Sequence, residues 1–103
     1  MKLSLGYITT PTKKEAKEIA MELLESGLIA CANIISGVES YFIWEDEPVK
    51  ANEYIIIFKT RVKNERKIIK LVRNMHSYQC PCVVFMKIED GNPEFLNWVE
   101  RSC

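Results

Sequence analysis

The first part of the chain combines a continuous apolar run with a helical repeat of apolar positions. Residues 3–10 are apolar and β-prone, and Pro11 ends the run because it has no backbone donor. Residues 12–15, Thr-Lys-Lys-Glu, fit a capping box, in which the threonine hydroxyl and the glutamate carboxylate accept from backbone N–H groups. Apolar residues then follow at helical spacing as far as Gly27, which can take the left-handed cap conformation. We therefore predict a strand and then a helix that ends near Ser26.

A long β-hairpin is predicted from the next segment. Residues 28–35 are almost wholly apolar, and β-forming and aromatic residues resume over Val38–Trp44. We expect a bend or bulge at Gly37, where the two runs meet. Glu45–Pro48 makes a polar turn, and Tyr54–Thr60 is the returning strand.

The last part of the chain predicts a helix, a strand and a second helix. Asn64 or Thr60 caps the first of these helices, which fades near His76. Cys82–Ile88 is a fourth apolar strand, and Pro93 suits the first turn of a short C-terminal helix. The apolar faces of the two helices consist of Ile68, Ile69, Val72 and Met75, and of Phe95, Leu96, Trp98 and Val99.

The predicted order is β-α-β-β-α-β with an additional C-terminal helix, which is the split βαβ arrangement of ferredoxin-like α+β domains. Right-handed crossovers place the third strand between the first and second, and the fourth strand outside the first. The predicted sheet order is therefore 4-1-3-2, with the second and fourth strands at the edges. At 103 residues, 48% of them hydrophobic, the chain suffices for one packed core, so we predict one domain over residues 1–103.

The length of the predicted hairpin favours self-assembly. Residues 29–45 would extend about 56 Å if unbent, whereas a domain of this size has a radius of gyration of about 13 Å. The hairpin therefore either folds back on its own core or projects, with Tyr41, Phe42 and Trp44 near its tip. A projecting apolar edge aggregates unless another subunit covers it, and a closed ring of heterologous contacts covers every edge equally. We expect these aromatic residues at an interface between subunits.

Charge and composition exclude several classes of function. Lysine and arginine total 14, as do aspartate and glutamate, so the chain lacks the excess positive charge that binds nucleic acid. The first residues lack a secretory signal, and no apolar stretch approaches the roughly 18 residues of a membrane span. We expect a cytoplasmic protein with no nucleic-acid or membrane partner. In a reducing cytosol its four cysteines, unevenly spaced, remain thiols.

Cys80 and Cys82 are the leading candidates for a metal site, with His76 four residues before the first of them. Thiolate and imidazole together suit copper or zinc, and the two cysteines point to one face if the fourth strand already includes Cys80. Alternatively, both cysteines are small packing residues. The sequence favours this alternative more strongly for Cys31, because Cys31 lies inside an apolar strand. Because the strands that carry them lie at opposite edges, a site combining Cys31 with the pair is expected between subunits.

No catalytic constellation is evident. His76 could act as a general base, but no nucleophile and orienting group accompany it, and a structural histidine at a helix C-terminus is the alternative. Thr9 and Thr10 precede a helix and could bind an anion, although no glycine-rich loop accompanies them. Trp44 and Trp98 line either a ligand cleft or ordinary cores and interfaces. We therefore expect no enzyme activity and no required cofactor.

Several segments, in order and at matching spacing, resemble the CutA family over nearly the whole chain. They are Thr9–Pro11, Leu28–Val38, Tyr41–Glu45, Lys59–Thr60 and His76–Pro81. The resemblance implies a homotrimer of ferredoxin-like subunits, linked to tolerance of copper and other divalent cations, and it implies no enzyme activity.

Four candidate site residues match the family pattern as they stand: Cys31, Trp44, His76 and Tyr78. The resemblance thereby adds Tyr78 to the candidates for an interface or ligand cleft. Other positions depart from the pattern. Ser77 stands where the family usually has proline, Cys82 where it has an acidic residue, Asp46 where it has glycine, and Ile8 where some members have cysteine. The Cys80/Cys82 pair is therefore not inherited from the family.

Two functional hypotheses follow. The first is a non-enzymatic trimer that binds divalent or soft metal ions, copper or zinc among them, and contributes to metal tolerance. The second is a small-ligand-binding or signalling module, because ferredoxin-like trimers include the nitrogen-regulatory signal proteins, whose clefts between subunits bind small effectors. The chain has no long exposed loop of the kind that engages a partner protein, which favours the first hypothesis.

Overall fold

The computed structural model describes residues 1–103, and its elements follow the predicted order. They form one antiparallel sheet in the order β2-β3-β1-β4, as predicted, with β2 and β4 at the edges. The elements are β1 (Leu3–Thr10), α1 (Lys13–Glu25), β2 (Cys31–Trp44), β3 (Glu47–Arg61), α2 (Glu65–Met75), β4 (Val83–Lys87) and α3 (Pro93–Ser102). None of the three helices has the length and apolar character that crossing a bilayer requires.

The two ends of α1 show which part of the predicted capping box forms. The Thr12 hydroxyl accepts from the Glu15 backbone N–H at 3.1 Å, as predicted. The Glu15 carboxylate, however, turns away from the helix start and accepts from the backbone N–H and the hydroxyl of Ser77, at 2.9 and 2.7 Å. At the other end Gly27 has a φ of 70°, which confirms the predicted left-handed cap. The predicted capping role of the Glu15 carboxylate is therefore wrong, because this carboxylate links α1 to the segment after α2 through its hydrogen bonds with Ser77.

Two polar side chains that were predicted to cap α2 have another role. The Leu28 carbonyl accepts from the Thr60 hydroxyl at 2.6 Å and from the Asn64 side-chain amide at 3.3 Å. Asn64 occupies the cap position of α2 but makes no side-chain capping bond there. These two bonds fix the Leu28 carbonyl outside the sheet ladder, so β2 begins at Cys31 rather than at Leu28.

The core lies on one face of the sheet, under α1 and α2. Phe58 has no exposed surface and meets Phe85 edge to face, with 5.8 Å between ring centroids. Gly6 lies directly opposite both aromatic residues in the sheet and leaves the space that the Phe58 ring fills. The other fully buried members of this cluster are Ile8, Ala16, Ile19, Leu23, Ile56, Ile68 and Val72.

The β2–β3 hairpin extends beyond the rest of the sheet as a two-stranded arm, residues 38–53. β1 ends at Thr10, opposite Tyr54, whereas β2 and β3 remain paired beyond that point as far as Trp44 and Glu47. A bulge precedes Val38, as predicted, and the molecule measures 44 by 25 by 22 Å. The hairpin thus projects rather than folding back.

The tip of the arm is tighter than predicted. Only Glu45 and Asp46 form the turn, with φ values of 51° and 66°, so Glu47 and Pro48 already belong to β3. Two positive φ values match the turn type whose twist suits antiparallel strands. Tyr41 and Ile43 stay 70% and 67% exposed on this arm, which leaves a large apolar surface outside the core.

Candidate functional site

A cavity of about 560 Å³ lies between the arm and the α2–β4 loop, residues 76–82. The arm contributes apolar walls, including Val49 and Ala51, and the loop contributes both thiols of the C-x-C pair. Six of the predicted site residues line this one cavity: Tyr41, Phe42, Trp44, Tyr78, Cys80 and Cys82. The fold therefore brings the predicted aromatic cluster and the predicted cysteine pair together within one subunit.

Glu53 supplies a buried carboxylate at this cavity. Glu53 is only 6% exposed, and its carboxylate accepts a hydrogen bond from the Tyr78 hydroxyl at 2.7 Å. The pKa of Tyr78 is raised, mainly because burial disfavours the charged phenolate. The hydrogen bond to Glu53 and the negative charge of Glu53 raise it further. Sequence reasoning missed Glu53. Its signal was the alternation of β3, in which Glu53 shares a side of the sheet with the buried Ile55.

Cys80 and Cys82 are both free thiols, the first exposed and the second half-buried. Burial raises the pKa of the Cys82 thiol, and the neighbouring Glu53 and Cys80 raise it further. Cys82 is therefore a neutral thiol near pH 7 and must release a proton before it ligates a metal ion. β4 begins at Val83, so neither cysteine belongs to the strand and the condition for strand alternation to align them is not met, although both line the cavity.

His76 has both ring nitrogens engaged. Its Nε2 lies 2.7 Å from the Thr9 carbonyl oxygen, and its Nδ1 accepts from the Tyr78 backbone N–H at 3.0 Å. Because a carbonyl oxygen can only accept, Nε2 is the donor to Thr9. The Glu15 carboxylate lies 3.2 Å from Nδ1, and the imidazole is fully buried. His76 therefore holds Tyr78 in place and offers no free nitrogen to a metal ion, which corresponds to the structural alternative.

Two other predicted residues lie outside the cavity. Cys31 pairs with Lys59 at the β2 edge, across the sheet from β4, so it is remote from the C-x-C pair within one subunit. Trp98 belongs to α3, where its ring packs 5.5 Å from that of Phe95. No three His, Cys, Asp or Glu side chains of the subunit are grouped to hold a metal ion. One subunit thus brings two thiols to the cavity and does not group a complete set of metal ligands.

Replacing Tyr78 with Phe is expected to lower the free energy of unfolding by roughly 1–3 kcal/mol near neutral pH, because Glu53 loses its buried donor. The raised pKa of Tyr78 means that its contribution is complete below the ordinary value of 10.0 and declines as the pH rises above it. Urea unfolding at several pH values should therefore show a shallower alkaline loss in the variant. Tyr41→Phe, at a 70% exposed position, is the control. Identical alkaline slopes for wild type and Tyr78→Phe would contradict the role of the Glu53 contact.

The fold and the cavity together define a class: a ferredoxin-like α+β subunit with a projecting arm and, beside that arm, a cleft lined by thiols and aromatic residues. The sequence of residues 4–102 matches the family described as CutA1 divalent ion tolerance protein. The chain belongs to this CutA1 family.

Individual relatives agree with this assignment. A divalent-cation tolerance protein CutA from Archaeoglobus fulgidus is 42% identical over 96 residues, which cover 93% of each chain. Its solved structure, described as that of a periplasmic protein, superimposes with a TM-score of 0.93 over 97% of each chain at 40% identity. The divalent cation tolerance protein of Thermus thermophilus gives a TM-score of 0.95 at 33% identity, over 97% of each chain. A CutA homolog from Xenopus laevis is 36% identical over 94% of this chain, which spans 64% of that protein.

Proposed function

We propose that this protein is a non-enzymatic homotrimer that contributes to tolerance of divalent metal ions, copper among them, by binding such ions. Membership of a family named for divalent ion tolerance supports the physiological role. The observation that carries the binding role is the placement of Cys80 and Cys82 at one cavity. Soft thiolate ligands favour copper and zinc over harder cations. Reduced thiols require a reducing compartment, and we place the protein in the cytoplasm for that reason.

Trimer formation is proposed from the surface of the arm. Tyr41, Phe42 and Trp44 are 70%, 41% and 45% exposed, which is unusual for aromatic residues on an isolated soluble subunit. The β2 and β4 edges are also unpaired within the subunit. A heterologous ring, in which the arm of each subunit lies against the next, would reduce the exposure of these residues, leave no open edge, and keep the cavity as a cleft beside the neighbouring subunit.

The trimer would also complete the metal site. One subunit supplies Cys80 and Cys82, whereas tetrahedral zinc sites take four ligands. In a ring that sets the β2 edge of one subunit near β4 of the next, Cys31 of the neighbouring chain becomes a further candidate ligand. His76 contributes by positioning Tyr78 at the cavity, and it ligates only if its two hydrogen bonds are given up.

The test is a copper or zinc titration of wild type against a Cys80→Ser/Cys82→Ser variant, under reducing conditions and with the trimer confirmed for both. We expect the double variant to lose about a hundredfold or more in affinity, because two linked ligands act as a chelate. Cys103→Ser is the matched control, since Cys103 lies at the end of α3 and donates to the Val99 carbonyl. Unchanged affinity and stoichiometry in the double variant would eliminate this site.

A small-ligand-binding or signalling role is the second candidate, and the cavity itself favours it. Its volume of about 560 Å³ falls within the range of small-molecule sites, and the Glu53–Tyr78 pair supplies oriented polar groups among apolar walls. An organic molecule retained by the purified protein would support this role. Stoichiometric copper or zinc would support the first.

A further inference from the structure

Cys80 and Cys82 are two neighbouring thiols at one cavity. Both are free, both line the same cavity, and the half-buried Cys82 lies deeper than the exposed Cys80. Only Pro81 separates them, and its ring fixes one backbone torsion of the short link. Two thiols joined by so short a link are presented to one incoming atom at high effective concentration.

The cavity next to this pair is suited to a neutral, apolar group. Phe42, Trp44 and Val49 are among its walls. The only buried charge there is the Glu53 carboxylate, which already accepts from Tyr78. Within one subunit a hydrated dication finds only two thiol ligands here, and dehydration of an incompletely ligated charge is costly, so its binding depends on the further ligands that the proposed trimer supplies. A neutral thiophilic atom that needs only two thiols and carries an apolar substituent meets no such cost.

We propose that Cys80 and Cys82 form a bidentate site for monosubstituted trivalent arsenic compounds, with the apolar substituent in the aromatic cavity. The reaction joins one organoarsenic(III) oxide and two thiols. It forms two As–S bonds, breaks the As=O double bond and two S–H bonds, and releases the oxygen with both thiol protons as one water. No electron is transferred, so no oxidant or reductant is needed. This site rests on the same thiols as the proposed function, but it requires ligands from one subunit only.

Phenylarsine oxide tests the chelate. With a Cys31→Ser/Cys103→Ser protein, in which the pair is the only source of thiols, intact mass spectrometry should show one adduct per chain with loss of one water. Excess 2-mercaptoethanol should leave the adduct in place, and 2,3-dimercaptopropanol should remove it. Adding Cys80→Ser or Cys82→Ser should weaken binding about a hundredfold, because only one As–S bond to protein remains. Equal binding by a single-thiol variant that retains the wild-type circular dichroism spectrum would overturn the proposal.

The role of the apolar cavity walls is tested by comparing phenylarsine oxide with inorganic arsenite, which has no apolar substituent. Burial of the phenyl group should make phenylarsine oxide bind at least about tenfold tighter than arsenite. Phe42→Ala should reduce this ratio, whereas Ile43→Ala, the adjacent residue on the arm that does not line the cavity, should preserve it. A ratio near one in wild type, or equal losses in the two variants, would contradict placement of the substituent in the cavity.

The arsenical and the copper experiments separate the two proposals. Capture of phenylarsine oxide by a protein that fails to bind copper supports the arsenical site and removes the copper site. Copper binding that depends on Cys80 and Cys82, without capture of phenylarsine oxide, overturns the arsenical site and leaves the proposed function in place.

Discussion

Replacing Trp44 with Asp is expected to convert the proposed trimer to monomers at micromolar concentration. Trp44 is 45% exposed in the subunit, immediately before the turn of the arm, where the proposed ring places the neighbouring chain. Truncation of a tryptophan at the centre of an interface typically costs about 2 kcal/mol or more. Asp adds a charge that the apolar contact leaves unpaired, and symmetry repeats the loss at each interface.

Light scattering and sedimentation should show this shift, and the midpoint of thermal unfolding should lose its dependence on protein concentration in the variant. Asp46→Ala is the control, because Asp46 lies in the adjoining turn and is exposed on the arm. We expect it to stay trimeric. If both variants remain equally trimeric, or if wild type is a stable monomer, the arm is not the interface.

Gly6→Ala is expected to be the most destabilising single-methyl change in the core. A Cβ at this position would lie 2.0, 2.3 and 2.5 Å from three atoms of the Phe58 ring. Phe58 has no exposed surface and contacts Phe85 edge to face, so the ring cannot move away without displacing its neighbours. Overpacking of this kind costs about 3 kcal/mol.

Urea unfolding at a fixed protein concentration measures this loss, and Gly91→Ala is the matched control. A Cβ at Gly91 would approach only the flexible Leu96 side chain, at 3.3 Å, so we expect a change below about 0.5 kcal/mol. A Gly6→Ala protein with wild-type stability would show that the Phe58 ring is not held over the glycine.

Element order and sheet topology were predictable because each element carries its own local signal. The apolar repeat of α1 and the crossover rule gave the helix and the strand order, which the structure confirms. Boundaries were less predictable where long-range bonds compete. The Leu28 carbonyl bonds to two side chains from residues far along the chain, and no local pattern could show that β2 starts only at Cys31. The turn was predicted over Glu45–Pro48, two residues too long, because neither Glu45 nor Asp46 is the glycine or asparagine that usually marks positive φ.

The candidate site was predicted in part. The aromatic residues of the arm and the C-x-C pair do share one cavity, but the sequence could not place them together, because their proximity depends on how the arm and the α2–β4 loop pack. The role of His76 was ambiguous from the sequence. A histidine whose ring nitrogens are both hydrogen-bonded and a histidine that is free to bind a metal ion have the same local sequence pattern. Its bonds to Thr9 and Tyr78 resolve that ambiguity within the subunit. Trp98 was predicted for an interface or ligand cleft on residue type alone, and it does not line this cavity.

Native mass spectrometry of the copper-loaded protein, with elemental analysis of the same sample, tests the central claim most directly. The account predicts a species of three chains that carries copper in equal amount on each, and the same three-chain species without that copper for Cys80→Ser/Cys82→Ser. A wild-type trimer that stays free of copper at saturating concentration, or copper retained in full by the double variant, would contradict it.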